Sequence, residues 1–154
     1  MRAVVQRVSR ACVRGDGQEQ ATIGKGLLVL LGISVRDGAD EAGLLARRVG
    51  GLRIFDDATG RMTLDAPAVG GSLLCVSQFT LYGDVRREKR PSFEAAAPAE
   101  QALPLYEAFI RAILALGLPC ERGVFGAAMQ VELVNDGPVT IVIDTDDLAR
   151  PRRA

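Results

Sequence analysis

Near the C-terminal end of the chain, two apolar runs flank the stretch Asn135-Asp136-Gly137-Pro138-Val139-Thr140. Pro138 has no N–H to give to a sheet and its ring fixes φ, while Gly137 leaves room for a close approach to its backbone. The Asn-Asp-Gly-Pro composition is typical of a tight turn between two strands. The alternative is that the pair presents bare carbonyl groups to a ligand in a fixed direction.

Outward from this stretch, the pattern predicts strands at 2–13, 18–23, 27–33, 52–55, 62–64, 72–80, 129–134 and 139–144. Helical spacing at 37–51 and 98–117 predicts two helices, the first capped by Asp37 or Asp40 and the second kinked or restarted at Pro104. Strand runs with two inserted helices indicate the α+β class, with mixed, mostly antiparallel sheets in a single domain and the two main helices packed on them.

Size and composition indicate one ordinary globular domain. The 154 residues are 48% hydrophobic and 25% charged, and no apolar run approaches the ~18 residues of a membrane span. The N-terminal residues run straight into a strand pattern, so we expect a cytoplasmic protein with no membrane partner. The net charge of zero argues against a broad nonspecific nucleic-acid surface but allows a local basic patch.

The absence of histidine restricts the chemistry most strongly. It removes Ser-His and Cys-His mechanisms and the common zinc sites, and we expect neither a metal nor a cofactor. Any base must be a carboxylate, a lysine, a water molecule or the substrate. The cysteines, Cys12, Cys75 and Cys120, lie in separate apolar runs and are predicted to be buried free thiols.

Two motifs at this separation resemble those of the D-aminoacyl-tRNA deacylases: Ser77-Gln78-Phe79-Thr80-Leu81 and the 135–140 segment. Five further stretches fit the same family in the same order: Gln6-Arg7-Val8, 26–32, Arg53-Ile54-Phe55, Arg90-Pro91-Ser92-Phe93 and Met129-Gln130-Val131. The resemblance covers residues 1–145. Residues 146–154 are predicted to form a polar tail that is disordered.

The resemblance implies a homodimer with active sites at the subunit interface. It implies hydrolysis of the ester that joins a D-amino acid to the 3′ end of tRNA, or glycine mischarged on tRNA-Ala. The Gly137–Pro138 bond is expected to be cis, and the pair is expected to enter the partner's active site, with Arg7 holding its orientation. Met129 and Asn135 join these three residues as expected substrate-binding positions.

The expected catalytic segment is Ser77, Gln78, Phe79 and Thr80. Its backbone N–H groups, above all that of Phe79, can stabilise an oxyanion. Thr80 has no neighbouring base in sequence, so we expect it to position water rather than attack. The ribose 2′-hydroxyl of the terminal adenosine is then the favoured activator, and Ser77 and Gln78 are better suited to binding.

A basic loop at residues 86–90 is the candidate RNA contact. It carries Arg86, Arg87, Lys89 and Arg90, and Phe93 follows as a possible stacking surface. The alternative is an ordinary solvated face.

The sequence is also compatible with two other functions. One is a dimeric RNA- or nucleotide-binding module without catalysis, and the other is a hydrolase of small D-amino-acid esters.

Overall fold

A long first strand organises the main sheet. The computed structural model describes residues 1–150, and within them β1 (Arg2–Gly15) pairs antiparallel with three other strands. These partners are β2 (Gln18–Ile23), β3 (Gly26–Gly32) and, numbered by its place along the chain, β8 (Gln130–Asp144). Because β1 is long, its first half lies between β3 and β8 and its second half between β2 and β8.

The remaining strands extend this sheet and form a small second one. β6 (Ser72–Ser77) runs parallel to β3 and to β7 (Cys120–Arg122). β4 (Phe55–Asp56) and β5 (Met62–Leu64) form a separate antiparallel pair. The predicted α+β class, with mixed and mostly antiparallel sheets, is confirmed. β7 was not predicted.

Two main helices cover one face of the sheet, as predicted. α1 (Ala39–Gly50) and α2 (Ala99–Ala115) pack against each other, and a short α3 (Thr145–Leu148) follows the last strand. Two 3₁₀ turns, Pro67–Val69 and Phe79–Tyr82, complete the elements. No helix within residues 1–150 combines the length and apolarity that crossing a membrane needs.

The central strands are buried on both faces, which explains their continuous apolar sequence. Leu27, Val29 and Leu31 of β3 face the core beneath the helices. Leu28 belongs to a second apolar cluster on the opposite face, together with Leu74 of β6. Because both faces of these strands are covered, the C-terminal end of β6 is fixed firmly in space.

The predicted pair of strands at 129–134 and 139–144 is one strand in the structure. β8 continues through the 135–140 segment, because β1 pairs with it on both sides of that segment. The register shifts there, so that Arg7 of β1 faces the extra residues. The segment is therefore a bulge in a continuous strand and does not reverse the chain, so the prediction of a tight turn is wrong.

The strand predicted at 72–80 ends earlier, at Ser77. The Gln78 N–H still donates to the Leu31 carbonyl at 2.8 Å, and the chain then enters the Phe79–Tyr82 turn. Two bonds stabilise this turn, from the Leu81 N–H to the Gln78 carbonyl at 3.2 Å and from the Gly83 N–H to the Thr80 carbonyl at 3.0 Å.

Both helices differ in detail from the predictions. Gly38, and not Asp37 or Asp40, is the N-cap of α1, and its N–H donates to Glu41 Oε2 at 2.8 Å. Asp37 is instead buried and accepts a 2.6 Å hydrogen bond from the Met1 amine. α2 continues through Pro104 without a restart.

The region assigned to the tail begins inside a helix. Thr145 is buried and its Oγ1 accepts a 2.6 Å bond from the Met1 amine, and Asp146 accepts one from Arg36 Nη2 at 2.7 Å. Disorder was therefore the wrong prediction for the first tail residues, because these contacts join them to the fold. Residues 151–154 lie outside the described part of the chain.

Candidate active site

A cleft of about 410 Å³ opens at the C-terminal end of β6. Three of the predicted catalytic residues, Ser77, Gln78 and Phe79, lie on its wall, and Met129 lines it from the start of β8. The other lining residues are apolar or glycine: Ile33, Val76, Ala97, Ala99, Ala102, Phe125, Gly126, Ala127 and Val131. None of these lining side chains ionises, so the cleft contains no general acid or base of its own.

The turn after β6 presents a backbone N–H beside this cleft. Gln78 uses its N–H to bond Leu31, but no acceptor for the Phe79 N–H is found within residues 1–150. The Phe79 side chain is 55% exposed. The turn therefore leaves one polar donor and one aromatic face available at the cleft wall.

Thr80 lies just outside the cleft lining and is exposed. Its hydroxyl accepts a hydrogen bond from the Gln78 side-chain amide. Since an amide nitrogen cannot take a proton from a hydroxyl, this contact orients Thr80 without activating it.

The thiols near the core are poor nucleophiles. Burial raises the pKa of Cys75 well above its usual value, and burial raises that of Cys120 to about 12. Cys12 and Cys75 are buried and free as predicted, whereas Cys120 is only half-buried. The geometry gives no support to a catalytic cysteine.

The basic loop connects to the cleft through two aromatic rings. Phe93 meets Phe79 edge-on, with ring centroids 5.0 Å apart and an interplanar angle of 71°. The two ends of the loop are tied by paired backbone hydrogen bonds between Asp84 and Ser92, at 2.8 and 2.9 Å. The loop is therefore connected to the cleft wall through the Phe93–Phe79 contact.

The charges of the loop are not equivalent. Arg86 donates hydrogen bonds from Nε and Nη2 to the Asp84 carboxylate, and these bonds lower the pKa of Asp84 to about 2. Within residues 1–150, Arg87, Lys89 and Arg90 make no ion pair and are exposed. The RNA contact predicted for Arg86 therefore competes with an internal partner, whereas the other three cations are available.

The bulge in β8 is held by Arg7, whose side chain is buried. Arg7 Nε donates to the Asp136 carbonyl at 2.9 Å and Nη1 donates to the Ile54 carbonyl at 2.7 Å. Arg7 is therefore a buried residue that bonds two backbone carbonyls, and is not an exposed strand arginine. A Cβ on Gly137 would lie 2.9 Å from Arg7 Nη2, and φ there is +134°, so the bulge has room only for glycine.

Asn135 closes the bulge from within. Its Oδ1 accepts the Val139 N–H at 2.9 Å and its Nδ2 donates to Thr140 Oγ1 at 2.9 Å. Both ends of this amide are therefore engaged by the segment itself. The Gly137–Pro138 bond is cis, as the resemblance implied, and both residues are exposed.

The bulge and the cleft of one chain lie at opposite ends of the central strands. Leu27 pairs with Arg7, whereas Leu31 pairs with Ser77. The two positions of β3 are four residue steps apart, which is roughly 13 Å along the strand, and the two sites also lie on different strands across the sheet. Gly137 and Pro138 do not line the cleft of their own chain.

No sequence motif marks the apolar lining residues of the cleft. Ile33, Ala102 and Phe125 line it but carry no motif, because apolar wall residues resemble ordinary core positions. Gly126, which also lines the cleft, has a φ of +76° and lies in a turn there.

Comparisons with known proteins agree with this architecture. The sequence profile of the family described as "D-Tyr-tRNA(Tyr) deacylase" matches residues 4–144. A D-aminoacyl-tRNA deacylase of Koribacter versatilis (strain Ellin345) is 59% identical over 145 residues, which are 94% of this chain and 97% of that protein. One of Chloroflexus aurantiacus (strain ATCC 29364 / DSM 637 / Y-400-fl) is 53% identical over 154 residues, covering 100% of this chain and 96% of the relative.

A solved structure is also similar throughout. The "c-Myc DNA Unwinding Element Binding Protein" is 41% identical, with a TM-score of 0.87 over 94% of this chain and 98% of that one. Together, these similarities identify a hydrolase that acts on ester bonds. The chain belongs to the D-aminoacyl-tRNA deacylase family.

Proposed function

We propose that this enzyme proofreads charged tRNA by removing D-amino acids, and glycine mischarged on tRNA-Ala, from the 3′ end. The observation that carries the proposal is the uncommitted Phe79 N–H beside a cleft without ionisable side chains. Such a site can stabilise an oxyanion but cannot take up a proton. It therefore suits an activated ester whose own ribose 2′-hydroxyl group can assist the attack of water.

In the proposed reaction, a water molecule attacks the carbonyl carbon of the ester. The Phe79 N–H receives the negative charge that develops on the carbonyl oxygen. The bond to the ribose oxygen then breaks, the amino acid leaves as a carboxylic acid, and a proton passes to the ribose oxygen. The neighbouring 2′-hydroxyl orients or activates the water, Ser77 and Gln78 bind the substrate, and Thr80 supports Gln78.

A substrate with a 2′-deoxy terminal adenosine tests this route. We expect its D-aminoacyl ester to be cleaved at least tenfold more slowly than the ribose form. Its spontaneous hydrolysis, measured without enzyme, gives the necessary correction. Cleavage at the normal rate would remove the RNA-assisted route while leaving the deacylase assignment intact.

For the rejection of L-amino acids we propose a backbone filter made by Gly137 and Pro138. The pair is exposed, and the residues on either side of it, Asp136 and Val139, are held by hydrogen bonds from Arg7 and to Asn135. A rigid wall excludes an L side chain by direct collision, whereas a hydrophobic pocket discriminates small differences by only about 10–200-fold. Because glycine has hydrogen at both positions, such a filter cannot exclude it.

The filter requires a homodimer with active sites at the interface, since the pair is remote from the cleft of its own chain. The outward face of β8 favours such an interface, because Val134 and Val142 are 44% and 69% exposed there. Apolar side chains repeated along an exposed strand are typical of surfaces that another protein covers. In the proposed dimer, each protomer inserts the pair into its partner's cleft beside Met129.

RNA binding is proposed for the basic loop. Arg87, Lys89 and Arg90 are free to bind phosphates, Arg86 can exchange Asp84 for one, and Phe93 offers a face for a base. We also propose a cytoplasmic location and a deacylase domain at 1–145, followed by a polar segment at 146–154 whose first residues continue α3.

One assay separates this function from its rivals. Purified protein is given D-tyrosyl-tRNA, L-tyrosyl-tRNA and D-tyrosyl-adenosine in parallel. Release of tyrosine from the D-tRNA alone, or faster than from the minimal ester, supports proofreading. No release from any substrate would indicate a binding module, and equal rates on tRNA and the minimal ester would indicate a small-ester hydrolase.

A further inference from the structure

Three arginines converge on a groove that the reaction does not use. The groove has a volume of about 450 Å³ and lies between the end of α1, the end of β8 and α3. Arg47 and Arg48 come from the last turn of α1, and Arg53 comes from the segment after it. Its floor is apolar, formed by Leu52, Ile143 and Leu148 together with Gly51.

Within the described part of the chain, no carboxylate lines this groove, and those of the adjoining β8–α3 segment are engaged elsewhere. Asp144 binds Arg2, Asp146 binds Arg36 and Asp147 binds Arg150, at 2.6, 2.7 and 3.2 Å. Across the described residues 1–150, Arg47, Arg48 and Arg53 have no ion-pair partner, and all three are exposed. The groove therefore carries three uncompensated positive charges on a chain whose net charge is zero.

A second groove lined by arginines also contains a carboxylate. Arg111 and Arg122 line it together with Glu107, which lies 3.8 Å from Arg122. A helix C-terminus favours basic residues, which accounts for Arg47 and Arg48 singly. It does not account for Arg53, which lies beyond the helix and faces the same groove.

The groove lies on the side of the molecule that carries the bulge. Arg53 is adjacent to Ile54, and the Ile54 carbonyl is held by the same guanidinium that holds the Asp136 carbonyl. The Arg53–Ile54 segment therefore connects the groove to the residue that holds the bulge.

We propose that Arg47, Arg48 and Arg53 bind backbone phosphates of the tRNA beyond its terminal adenosine. This inference rests on the proposed function, since it assumes a tRNA substrate in the dimer. Three guanidinium groups without carboxylates match phosphodiester oxygens in charge and in geometry. The chain's own last residues are disfavoured as occupants, because Arg152 and Arg153 carry the same charge.

The test compares the triple variant Arg47→Gln/Arg48→Gln/Arg53→Gln with the wild type and with Arg111→Gln/Arg122→Gln. For each protein, kcat and KM on D-tyrosyl-tRNA are measured from low to high KCl, along with activity on D-tyrosyl-adenosine and thermal melting. We expect the triple variant to raise KM for the tRNA about tenfold or more at low salt, with kcat retained. The slope of log(kcat/KM) against log[KCl] should become shallower by about 2 to 3, as expected for three lost phosphate contacts.

Each alternative result has a definite meaning. An unchanged KM and salt slope in the triple variant, with an active wild type, would overturn the inference and leave the function standing. An equal effect in the Arg111/Arg122 variant would overturn it in favour of general charge attraction. A matching loss on D-tyrosyl-adenosine would also overturn it, because this ester has no backbone phosphates for the arginines to bind. A wild type without activity on D-tyrosyl-tRNA would refute the proposed function itself.

Discussion

Replacing Arg7 with alanine separates the structural role of this residue from its proposed role in stereospecificity. The guanidinium donates to the Asp136 and Ile54 carbonyls from a side chain that is 10% exposed. A hydrogen bond from a charged donor contributes about 1.5–3 kcal/mol. The Ile54 carbonyl belongs to a buried residue, whereas exposed Asp136 can be hydrated, so we expect Arg7→Ala to lower the free energy of unfolding by about 2–4 kcal/mol.

The stereochemical effect follows from one of these two bonds. If an L-aminoacyl ester fits only after the bulge is displaced, loss of the Arg7–Asp136 hydrogen bond lowers the free-energy cost of that displacement by about 1.5–3 kcal/mol. Cleavage of L-tyrosyl-tRNA should then rise roughly 10- to 150-fold relative to the D ester. Single-turnover rates on both esters and urea unfolding of the same preparation measure the two effects independently.

Two control variants make the experiment decisive. Arg61→Ala removes an exposed arginine and should change neither quantity by more than the experimental error. Arg7→Lys keeps the charge but lacks the planar fork, so it should give intermediate values. Lower stability in Arg7→Ala with an unchanged ratio of D to L cleavage would refute the filter role and leave Arg7 as a structural residue.

Three further predictions concern the turn, the hydroxyl and the response to acid. A Cβ at Gly32 would lie 3.2 Å from the Gln78 carbonyl oxygen, so Gly32→Ala should displace the turn, cost about 1–3 kcal/mol in urea unfolding and lower kcat more than tenfold. Thr80→Val should retain kcat within about tenfold, whereas complete loss in a folded variant would make Thr80 a nucleophile. Burial alone would raise the pKa of Asp144, but the hydrogen bond from Arg2 holds it below its usual value. The stabilisation is therefore present above about pH 4 and lost as the pH falls, so the difference in urea midpoint between wild type and Asp144→Asn should shrink from pH 7 to pH 3.

The sequence predicted the fold well where the apolar periodicity was strong. The continuous run of β3 and the alternation of β1 marked a doubly buried strand and a half-buried one, and both are present. β7 was missed because its three residues carry too little pattern. Tyr106 became a central core residue whose hydroxyl donates to the Cys75 carbonyl at 2.9 Å, a contact that depends on packing between distant segments.

The structure differs from the sequence-based expectations at the 135–140 segment and at Asp37, and the two errors share a physical cause. Local composition made the 135–140 segment look like a turn, but pairing with β1 on both sides keeps β8 continuous. Asp37 resembles a helix cap in sequence, yet a buried amine 36 residues away takes its carboxylate. In both cases a partner distant in sequence decided the outcome, and no local pattern reports such a partner.

Under the proposed route, a reaction centre without an acid or base of its own also leaves other esters intact. Metabolite esters that lack a vicinal hydroxyl could diffuse into so bare a cavity and leave unhydrolysed, because nothing on its walls would deprotonate water for them. The mouth of the cavity could then stay permanently accessible, with no movable cover. Other esters in a cell would then escape hydrolysis because no ionisable side chain among residues 1–150 lines the cleft.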